Sequence, residues 1–203
     1  MNLVCLDLEG VLVPEIWIAF SQKTSIPELK LTTRDVPDYD ELMRHRLDIL
    51  EKHHLSLRDI QEVIAEIRPL EGAKPFLDTL REQTQVVILS DTFLEFSRPL
   101  MKQLDWPTIL CNRLRTNGDG HITGYELRQR NGKKSAVTGF MDMGLFVTAV
   151  GDSYNDLSMI ETAQRGALFR PPKSIVDEHP TLPVFEDYPP LLNFLLADSG
   201  AGR

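Results

Sequence analysis

The 203-residue sequence has few cysteines, no long apolar run and a shortage of positive charge. Cys5 and Cys111 are its only cysteines, which excludes a disulfide framework and a Cys-x-x-Cys metal site and is typical of a reducing compartment. No stretch approaches the roughly 20 apolar residues of a membrane-spanning helix. The first apolar run follows no basic segment and is interrupted by acidic residues. We therefore expect no secretion signal and no membrane partner, and we predict a cytoplasmic protein.

Acidic residues outnumber basic ones by 30 to 22, which gives a formal net charge of −8. This excess argues against a nucleic-acid partner, because two polyanions repel each other. An anionic small molecule would need a cation supplied locally. The histidines offer no spacing typical of metal ligands beyond the adjacent His53 and His54, whose side chains a helix would splay, so we assign them no metal.

The first apolar run, residues 3–6, is too short for a helix and ends in two acids and a glycine: Asp7, Glu9 and Gly10. This pattern predicts a buried parallel strand that presents both carboxylates at its carboxyl end. In open α/β sheets, ligands bind beside that end of the strands. Considered alone, the two acids are more simply interpreted as turn residues.

Two later runs repeat the arrangement, at residues 85–89 and 146–150. The polar residues that follow them are Ser90 after the first run and Asp152, Asn155 and Asp156 after the second. Because the carboxyl ends of parallel strands lie along one edge of a sheet, these groups are expected to share a site with Asp7. A set of carboxylates without a cysteine or histidine cluster favours a hard cation, above all Mg²⁺. Such a site is suited to phosphoryl transfer.

Between the first two strands the sequence has only helical character. Helices are predicted over residues 14–21, 39–52 and 56–67, with Ser56 as the N-cap of the third and a loop at 32–38. We therefore predict a small helical cap over residues 15–69. The core would consist of residues 1–14 and 70–203.

After residue 69 helices and strands alternate. The predicted helices are 73–82, 93–104, one that follows Lys133 and Lys134 and ends near residue 143, 159–163 and 191–196, and the further strands are 109–111, 167–169 and one near Val184. The turn residues Asn117-Gly118 and Asp119-Gly120 predict a β-hairpin over residues 113–128, which could act as a flap. The alternation predicts an α/β fold with a doubly wound parallel sheet.

Four segments in order resemble the motifs of the haloacid-dehalogenase-like phosphatases: Asp7-Leu8-Glu9-Gly10-Val11, Ser90, Lys133 and Gly151-Asp152-Ser153-Tyr154-Asn155-Asp156. The helical cap after the first strand, with Glu15 and Arg46, resembles the phosphoserine phosphatase branch. Within that branch, the opening segment and Ser90-Asp91-Thr92-Phe93 are most similar to the bifunctional members, which also transfer a phosphoryl group to homoserine.

The resemblance implies a role for each matched residue. Asp7 would be the nucleophile that forms an aspartyl-phosphate, and Glu9 would be the general acid and base. Mg²⁺ would be held by Asp7, by the backbone carbonyl of Glu9 and by Asp152, with Asp156 as a direct or water-mediated partner.

The remaining matched residues would bind the phosphoryl group. Ser90 and Lys133 would hold its oxygens, and Asn155 would contact the phosphate or orient Asp7. Lys134 competes with Lys133 for this role, and we favour Lys133 because its spacing to Ala136, Val137 and Phe140 fits the family better.

In the cap, Arg46 would clamp the α-carboxylate of the substrate and Glu15 would bind its α-amino group. The alternative for Arg46 is a solvated helix face, and for Glu15 an acid in the first turn of a helix. Trp17, Tyr39 and Met43 could line the pocket, although the core of the cap is the simpler expectation for them.

Two positions depart from the resemblance. Glu9 stands where most relatives have aspartate, and its longer side chain could help an acceptor alcohol compete with water. Asp91-Thr92 stands where phosphoserine phosphatases have a glycine pair, and we predict that Asp91 caps the return helix.

The sequence therefore predicts an Mg²⁺-dependent phosphatase for O-phosphoserine, with homoserine as a further acceptor. A phosphatase for another small phosphomonoester is the alternative within enzymes, and a receiver-like phospho-aspartate signalling module is the alternative from another class. A homodimer is one expectation for its assembly.

Overall fold

A computed structural model describes residues 1–32, 35–36 and 39–197. Within these residues the strands are β1 (Asn2–Leu6), β2 (Gln85–Phe93), β3 (Ile109–Thr116), β4 (Ile122–Glu126), β5 (Phe146–Gly151), β6 (Arg165–Phe169) and β7 (Val184–Phe185). They form a single sheet in the order β4-β3-β2-β1-β5-β6-β7. Every pairing is parallel except that of β3 with β4. The first strand thus lies in the centre, between β2 and β5.

The helices of the described residues fall into two groups. Between β1 and β2 lie α1 (Ile16–Thr24), a 3₁₀ helix (Pro27–Lys30), α2 (Tyr39–Lys52), α3 (Leu57–Ala65) and α4 (Ala73–Gln83). Later in the chain lie α5 (Leu94–Gln103), α6 (Gly132–Asp142), α7 (Tyr154–Thr162), α8 (Lys173–Glu178) and α9 (Tyr188–Leu196). None of these helices is long and apolar enough to cross a membrane.

The central strand packs against helices on both of its faces. Val4 and Leu6 belong to a hydrophobic cluster with side chains of α4, α5 and α9, whereas Leu3 and Cys5 belong to a second cluster with side chains of α6, α7 and α8. Alternate residues of a strand point to opposite faces, so both faces of the sheet are covered. This is the predicted doubly wound α/β fold.

The segment from α1 to α3, called the insert below, occupies the region predicted as the cap. Helix α2 has the predicted bounds, and α3 begins after Ser56, whose backbone N–H and hydroxyl both donate to the Asp59 carboxylate (2.8 and 2.6 Å). Helix α1 begins at Ile16 after the N-cap Glu15, so Pro14 lies before the first turn and not within it. Residues 33, 34, 37 and 38 of the predicted loop lie outside the described residues. The division into two domains at residues 14/15 and 69/70 remains a prediction.

The predicted hairpin is formed by β3 and β4, and it packs against the insert. The backbone N–H of Leu57 donates to the carbonyl of Gly120 at the turn (2.9 Å), and the rings of Tyr125 and Tyr39 meet edge to face with centroids 5.7 Å apart. The short strand predicted at 109–111 continues into the hairpin as one strand, β3.

The prediction that Asp91 caps the return helix is wrong. Strand β2 continues through Ser90 and Asp91 to Phe93, and α5 begins only at Leu94. The pairing of β2 with β3 shifts register between Leu89 and Phe93, and the buried Phe93 extends the strand beyond its polar residues. The side chain of Asp91 is therefore left at the edge of the sheet.

Candidate functional site

A cavity of about 480 Å³ lies where the carboxyl ends of β1, β2 and β5 meet the insert. From the edge of the sheet it is lined by Asp7, Glu9, Ser90, Asp91, Lys133, Asp152 and Asn155. From the insert it is lined by Glu15, Trp17, Tyr39 and Arg46, among others. The structure thus brings together, in one cavity, all the predicted site residues except Asp156, which lies directly behind it.

Asp7 occupies the first position after the central strand. Its backbone N–H donates to the carbonyl of Val150 at the end of β5 (2.9 Å), which fixes it between the two strand ends. The residue is only 4% exposed, and its Oδ1 accepts a hydrogen bond from Lys133 Nζ (2.9 Å). Burial, followed by the charge of Asp156, raises the pKa of Asp7 well above its ordinary value, and Lys133 only partly opposes this rise. An additional cation beside Asp7 would favour its ionised form.

Lys133 connects the carboxylates of the site. Its Nζ donates to Asp156 Oδ1 (2.6 Å) as well as to Asp7, and lies 3.5 Å from Asp91 Oδ2. Burial alone lowers the pKa of Lys133, but the charges of Asp156, Asp7 and Asp91 outweigh it and raise the pKa well above its ordinary value. The neighbouring Lys134 is exposed on the same helix. The structure therefore places Lys133, and not Lys134, in the site.

Asp156 is fully buried at the start of α7, where it orders the loop after β5. Its Oδ1 accepts from Lys133, and its Oδ2 accepts the backbone N–H groups of Asp152 and Ser153 (3.0 and 3.1 Å). Its carboxylate lies so close to Gly151 that a Cβ there would stand 2.3 Å from the Asp156 Cγ. Both oxygens are thus engaged by the protein, and the direct or water-mediated role of Asp156 at a metal stays a prediction.

Three carboxylates converge closely enough to hold a metal ion. One oxygen from each of Asp7, Asp152 and Asp156 lies within 4.8 Å of the others. Burial, followed by the charge of Asp156, raises the pKa of Asp152 to about 7. Oxygen donors and an excess of negative charge fit a hard divalent cation.

Gly10 allows Asp152 to reach this position. Its φ of +77° is one that L side chains rarely adopt, and a Cβ there would stand 2.4 Å from the Asp152 carboxylate. The glycine turn after β1 therefore makes room for an acid that follows β5.

Ser90 and Asn155 line the cavity together with Lys133. Ser90 is buried and its Oγ accepts the backbone N–H of Thr92 (3.2 Å). Asn155 is exposed at the first turn of α7, and its Nδ2 donates to Asp91 Oδ2 (3.0 Å). Both residues can donate hydrogen bonds to an anion held beside Lys133.

Glu9 turns from the strand end towards the insert. Its Oε2 accepts the backbone N–H of Ile16, the first residue of α1 (2.7 Å). Burial, followed by the charge of Glu15, raises the pKa of Glu9 to about 8, although the bond from Ile16 acts against this. A carboxyl group with this pKa is largely protonated at neutral pH and can act as an acid.

Arg46 is buried in the roof of the cavity, so the solvated helix face proposed as its alternative is wrong. Its Nη2 donates to the carbonyl of Leu31 (2.8 Å), its guanidinium lies 4.4 Å from the ring centroid of Trp17, and its buried Nε has no partner among the described residues. Burial lowers the pKa of Arg46 to about 10, so it stays cationic at neutral pH. Glu15 lines the same cavity at the N-cap of α1, without a side-chain capping bond.

The sequence leaves two expectations for Trp17, Tyr39 and Met43 of the insert, which are to line the pocket or to belong to the core of the cap. Trp17 and Tyr39 line the cavity, whereas Met43 is completely buried in the core and does not reach it.

Two further charged residues at the cavity, Asp91 and Arg170, are not assigned to it by the sequence. Asp91 is predicted at a helix cap, and Arg170 follows β6 with a φ of +49°, stacked on Phe169 and Tyr188. The position of Asp91 directly after Ser90 is a signal for its placement. Arg170 has no comparable signal, because it lies in none of the predicted motifs.

Comparisons with known proteins point to one family. A family model described as haloacid dehalogenase-like hydrolase matches residues 22–161. Phosphoserine phosphatase ThrH of Pseudomonas aeruginosa is 54% identical over 200 residues, which are 98% of each chain. A phosphoserine phosphatase of Pseudomonas syringae pv. tomato is 53% identical over 188 residues, which are 93% of this chain and 79% of the relative.

Solved structures support the same fold. A phosphoserine phosphatase in apo form has a TM-score of 0.73 at 22% identity, covering 92% of this chain and 94% of its own. A phospho-aspartyl intermediate analogue of phosphoserine phosphatase has a TM-score of 0.74 at 22% identity, covering 95% and 98%. The order of the motifs and the sheet topology agree with the family match. The chain belongs to the haloacid dehalogenase-like hydrolases.

Proposed function

We propose that this protein is an Mg²⁺-dependent phosphoserine phosphatase that acts through an aspartyl-phosphate on Asp7 and also transfers the phosphoryl group to homoserine. The observation that carries the proposal is the buried Asp7 carboxylate, held 2.9 Å from Lys133 at the floor of a cavity with Arg46 in its roof. The 54% identity to phosphoserine phosphatase ThrH supports the substrate. Transfer to homoserine rests on the resemblance of the opening segment to bifunctional relatives.

In the first step, an Asp7 oxygen attacks phosphorus and the bond from phosphorus to the serine oxygen breaks. The leaving serine oxygen takes a proton from Glu9, whose raised pKa supplies the protonated form at neutral pH. In the second step, Glu9 takes a proton from water or from an alcohol, which attacks the phosphorus and releases Asp7. Splitting the displacement in two lets one site serve both acceptors.

The phosphoryl oxygens would be held by the groups around Asp7. Lys133 offsets the repulsion between the Asp7 carboxylate and an anionic substrate, and Ser90 and Asn155 donate hydrogen bonds. Mg²⁺ would be held by Asp7, Asp152 and the backbone carbonyl of Glu9, with Asp156 acting through Lys133 and a water. The ion would neutralise charge that develops on the transferred phosphoryl group.

Arg46 and Glu15 would select the amino acid part of the substrate. A guanidinium can bind a carboxylate through two parallel hydrogen bonds, and Arg46 lines the cavity with a buried Nε that has no partner among the described residues. Glu15 lines the same cavity and carries the charge that an ammonium group requires. A zwitterion would thus be bound at the roof while its phosphate reaches the floor.

Steady-state phosphate release by the purified protein tests the proposal. With Mg²⁺ present, we expect O-phosphoserine to have a higher kcat/KM than phosphoethanolamine, phosphothreonine or glycerol phosphate. We expect homoserine to divert phosphate from release into O-phosphohomoserine. Equal turnover of all four esters would favour a general phosphatase, and a phosphorylated protein that releases no phosphate would favour a signalling module.

We further propose that the enzyme is cytoplasmic and that its partners are small molecules, with no nucleic acid and no membrane among them. The unpaired Cys5 and Cys111 and the net charge of −8 support it. Gel filtration with light scattering would test the homodimer proposed for its assembly.

A further inference from the structure

Asp91 contacts two of the groups that are proposed to hold phosphate. Its Oδ2 accepts a hydrogen bond from Asn155 Nδ2 (3.0 Å) and lies 3.5 Å from Lys133 Nζ. The Asp91 side chain is 48% exposed, whereas that of Lys133 is 5% exposed. The Asp91 carboxylate therefore lies on the solvent side of the lysine, where an anion entering the cavity would approach.

The backbone of Asp91 is fixed in this position. Its carbonyl accepts a hydrogen bond from Nδ2 of the buried Asn112 (3.0 Å), whose Oδ1 accepts the backbone N–H of Arg128 (3.0 Å). The hydroxyl of Tyr39 on α2 also donates to this carbonyl (3.5 Å). Asn112 lies on β3, so the sheet and the insert together hold Asp91 at the mouth of the site.

A carboxylate in this place has a predictable effect on a bound phosphate. It makes the same kind of contact with Lys133 and Asn155 that a phosphate oxygen would make, so the two anions compete for those donors. It also repels a phosphate dianion across a few ångströms of a partly solvated cavity. Neither the proposed nucleophile nor the proposed acid requires Asp91.

We infer that Asp91 is a positioning residue that occupies the phosphate donors of the free enzyme and weakens the binding of inorganic phosphate, so that the product is released. The inference rests on the proposed function and assigns the group that limits product affinity. With the phosphate donors already satisfied, the free enzyme would not be trapped by phosphate from solution. The substrate also contacts Arg46 and Glu15, so Asp91 would reduce the affinity for the substrate by a smaller factor than the affinity for the phosphate product.

The test is orthophosphate binding by isothermal titration calorimetry in the presence of Mg²⁺, without turnover. Removing the charge in Asp91→Asn keeps an oxygen that can accept from Asn155, and we expect the dissociation constant to fall about five- to tenfold. Asp91→Glu retains the charge and is expected to bind phosphate within about twofold of the native protein. Product inhibition of phosphoserine hydrolysis should tighten in parallel in Asp91→Asn.

Asp142→Asn is the matched control, because it removes the same charge from an exposed position at the end of α6. Unchanged or weaker phosphate binding by Asp91→Asn would overturn the inference, since it would mean that Asp91 only orients Lys133 and Asn155. Equal tightening in Asp142→Asn would overturn it as well, by showing an effect of net charge alone. Binding of orthophosphate is measured without turnover. A failure to hydrolyse phosphoserine would therefore contradict the proposed function, whereas the effect of Asp91 on phosphate binding could still be determined.

Discussion

Lys133 Nζ lies 2.9 Å from Asp7 Oδ1, although the two residues are 126 positions apart in the chain. The contact arises because β1 is the central strand and α6 leads into its neighbour β5. A buried carboxylate and a buried ammonium stabilise each other here, and two more carboxylates share the same lysine. The ammonium group of Lys133 is thereby held beside the position that a phosphoryl group on Asp7 would take.

Replacing the lysine of the site should remove this electrostatic support. We expect Lys133→Met to lower kcat/KM for phosphoserine by about 10²- to 10³-fold, in the range found when a group that stabilises transition-state charge is removed. Lys134→Met is the matched control, because Lys134 is exposed on the same turn of α6. Steady-state kinetics of both variants provide the measurement, and comparable losses in the two would contradict the assignment.

Adding a methyl group at Gly10 should disturb metal binding. In Gly10→Ala the new Cβ would stand 2.4 Å from the Asp152 carboxylate, and the φ of +77° disfavours any side chain. We expect Mg²⁺ affinity to fall by about tenfold or more, as when the surroundings of a metal ligand are displaced. Calorimetric titration with Mg²⁺ measures this directly.

Gly139→Ala is the control for that variant. Gly139 lies inside α6 with nothing within 4 Å of its added Cβ, so the substitution should raise the free energy of unfolding by up to about 1 kcal/mol. Its Mg²⁺ affinity should be unchanged. Native-like metal binding by Gly10→Ala would show that Asp152 does not bind the ion.

The guanidinium of Arg46 should matter only for substrates that carry a carboxylate. We expect Arg46→Lys to raise KM for phosphoserine by about tenfold or more, because lysine cannot bind a carboxylate through a planar fork. KM for phosphoethanolamine, which lacks that group, should change little. Arg44→Lys on the exposed side of α2 is the control. An equal rise for both esters would mean that Arg46 only shapes the insert.

Glu9 should influence the choice between water and alcohol. Its Oε2 reaches the first backbone N–H of α1 (2.7 Å), a contact that the shorter aspartate would lengthen or lose. We expect Glu9→Asp to lower the ratio of O-phosphohomoserine to phosphate formed from phosphoserine in a mixture with homoserine. Product analysis by nuclear magnetic resonance gives the ratio, and the hypothesis fails if it stays at the native value.

The strand ends were predictable because few local structures fit their pattern. A short β-branched run cannot form a stable helix, and the polar residues that follow it must lie at the end of a strand, at an edge of the sheet. Asp7, Ser90 and Asp152 were therefore assigned to one edge, and the structure brings them into one cavity. The motif spacing then distinguished Lys133 from Lys134.

The details that the sequence did not predict depend on tertiary contacts or on signals that compete. Asp91 could have capped a helix or continued a strand, and the burial of Phe93 two residues later favours the strand. Helix α9 begins at Tyr188, and the two residues after Tyr188 are prolines. They do not prevent the helix, because proline is tolerated in the first turn. Helix α7 begins five residues earlier than predicted, at Tyr154 instead of residue 159, because Asp156 accepts the backbone N–H of Ser153 at its N-terminus.

The covalent intermediate on Asp7 is the central claim, and peptide mass mapping after rapid acid quenching tests it most directly. When the native protein is mixed with Mg²⁺ and O-phosphoserine, we predict one phosphoryl group on the peptide that contains Asp7, and its loss as water or homoserine reacts. The Asp7→Asn variant should carry none and should release no phosphate. A phosphoryl group on another residue, or native turnover by Asp7→Asn, would contradict the account.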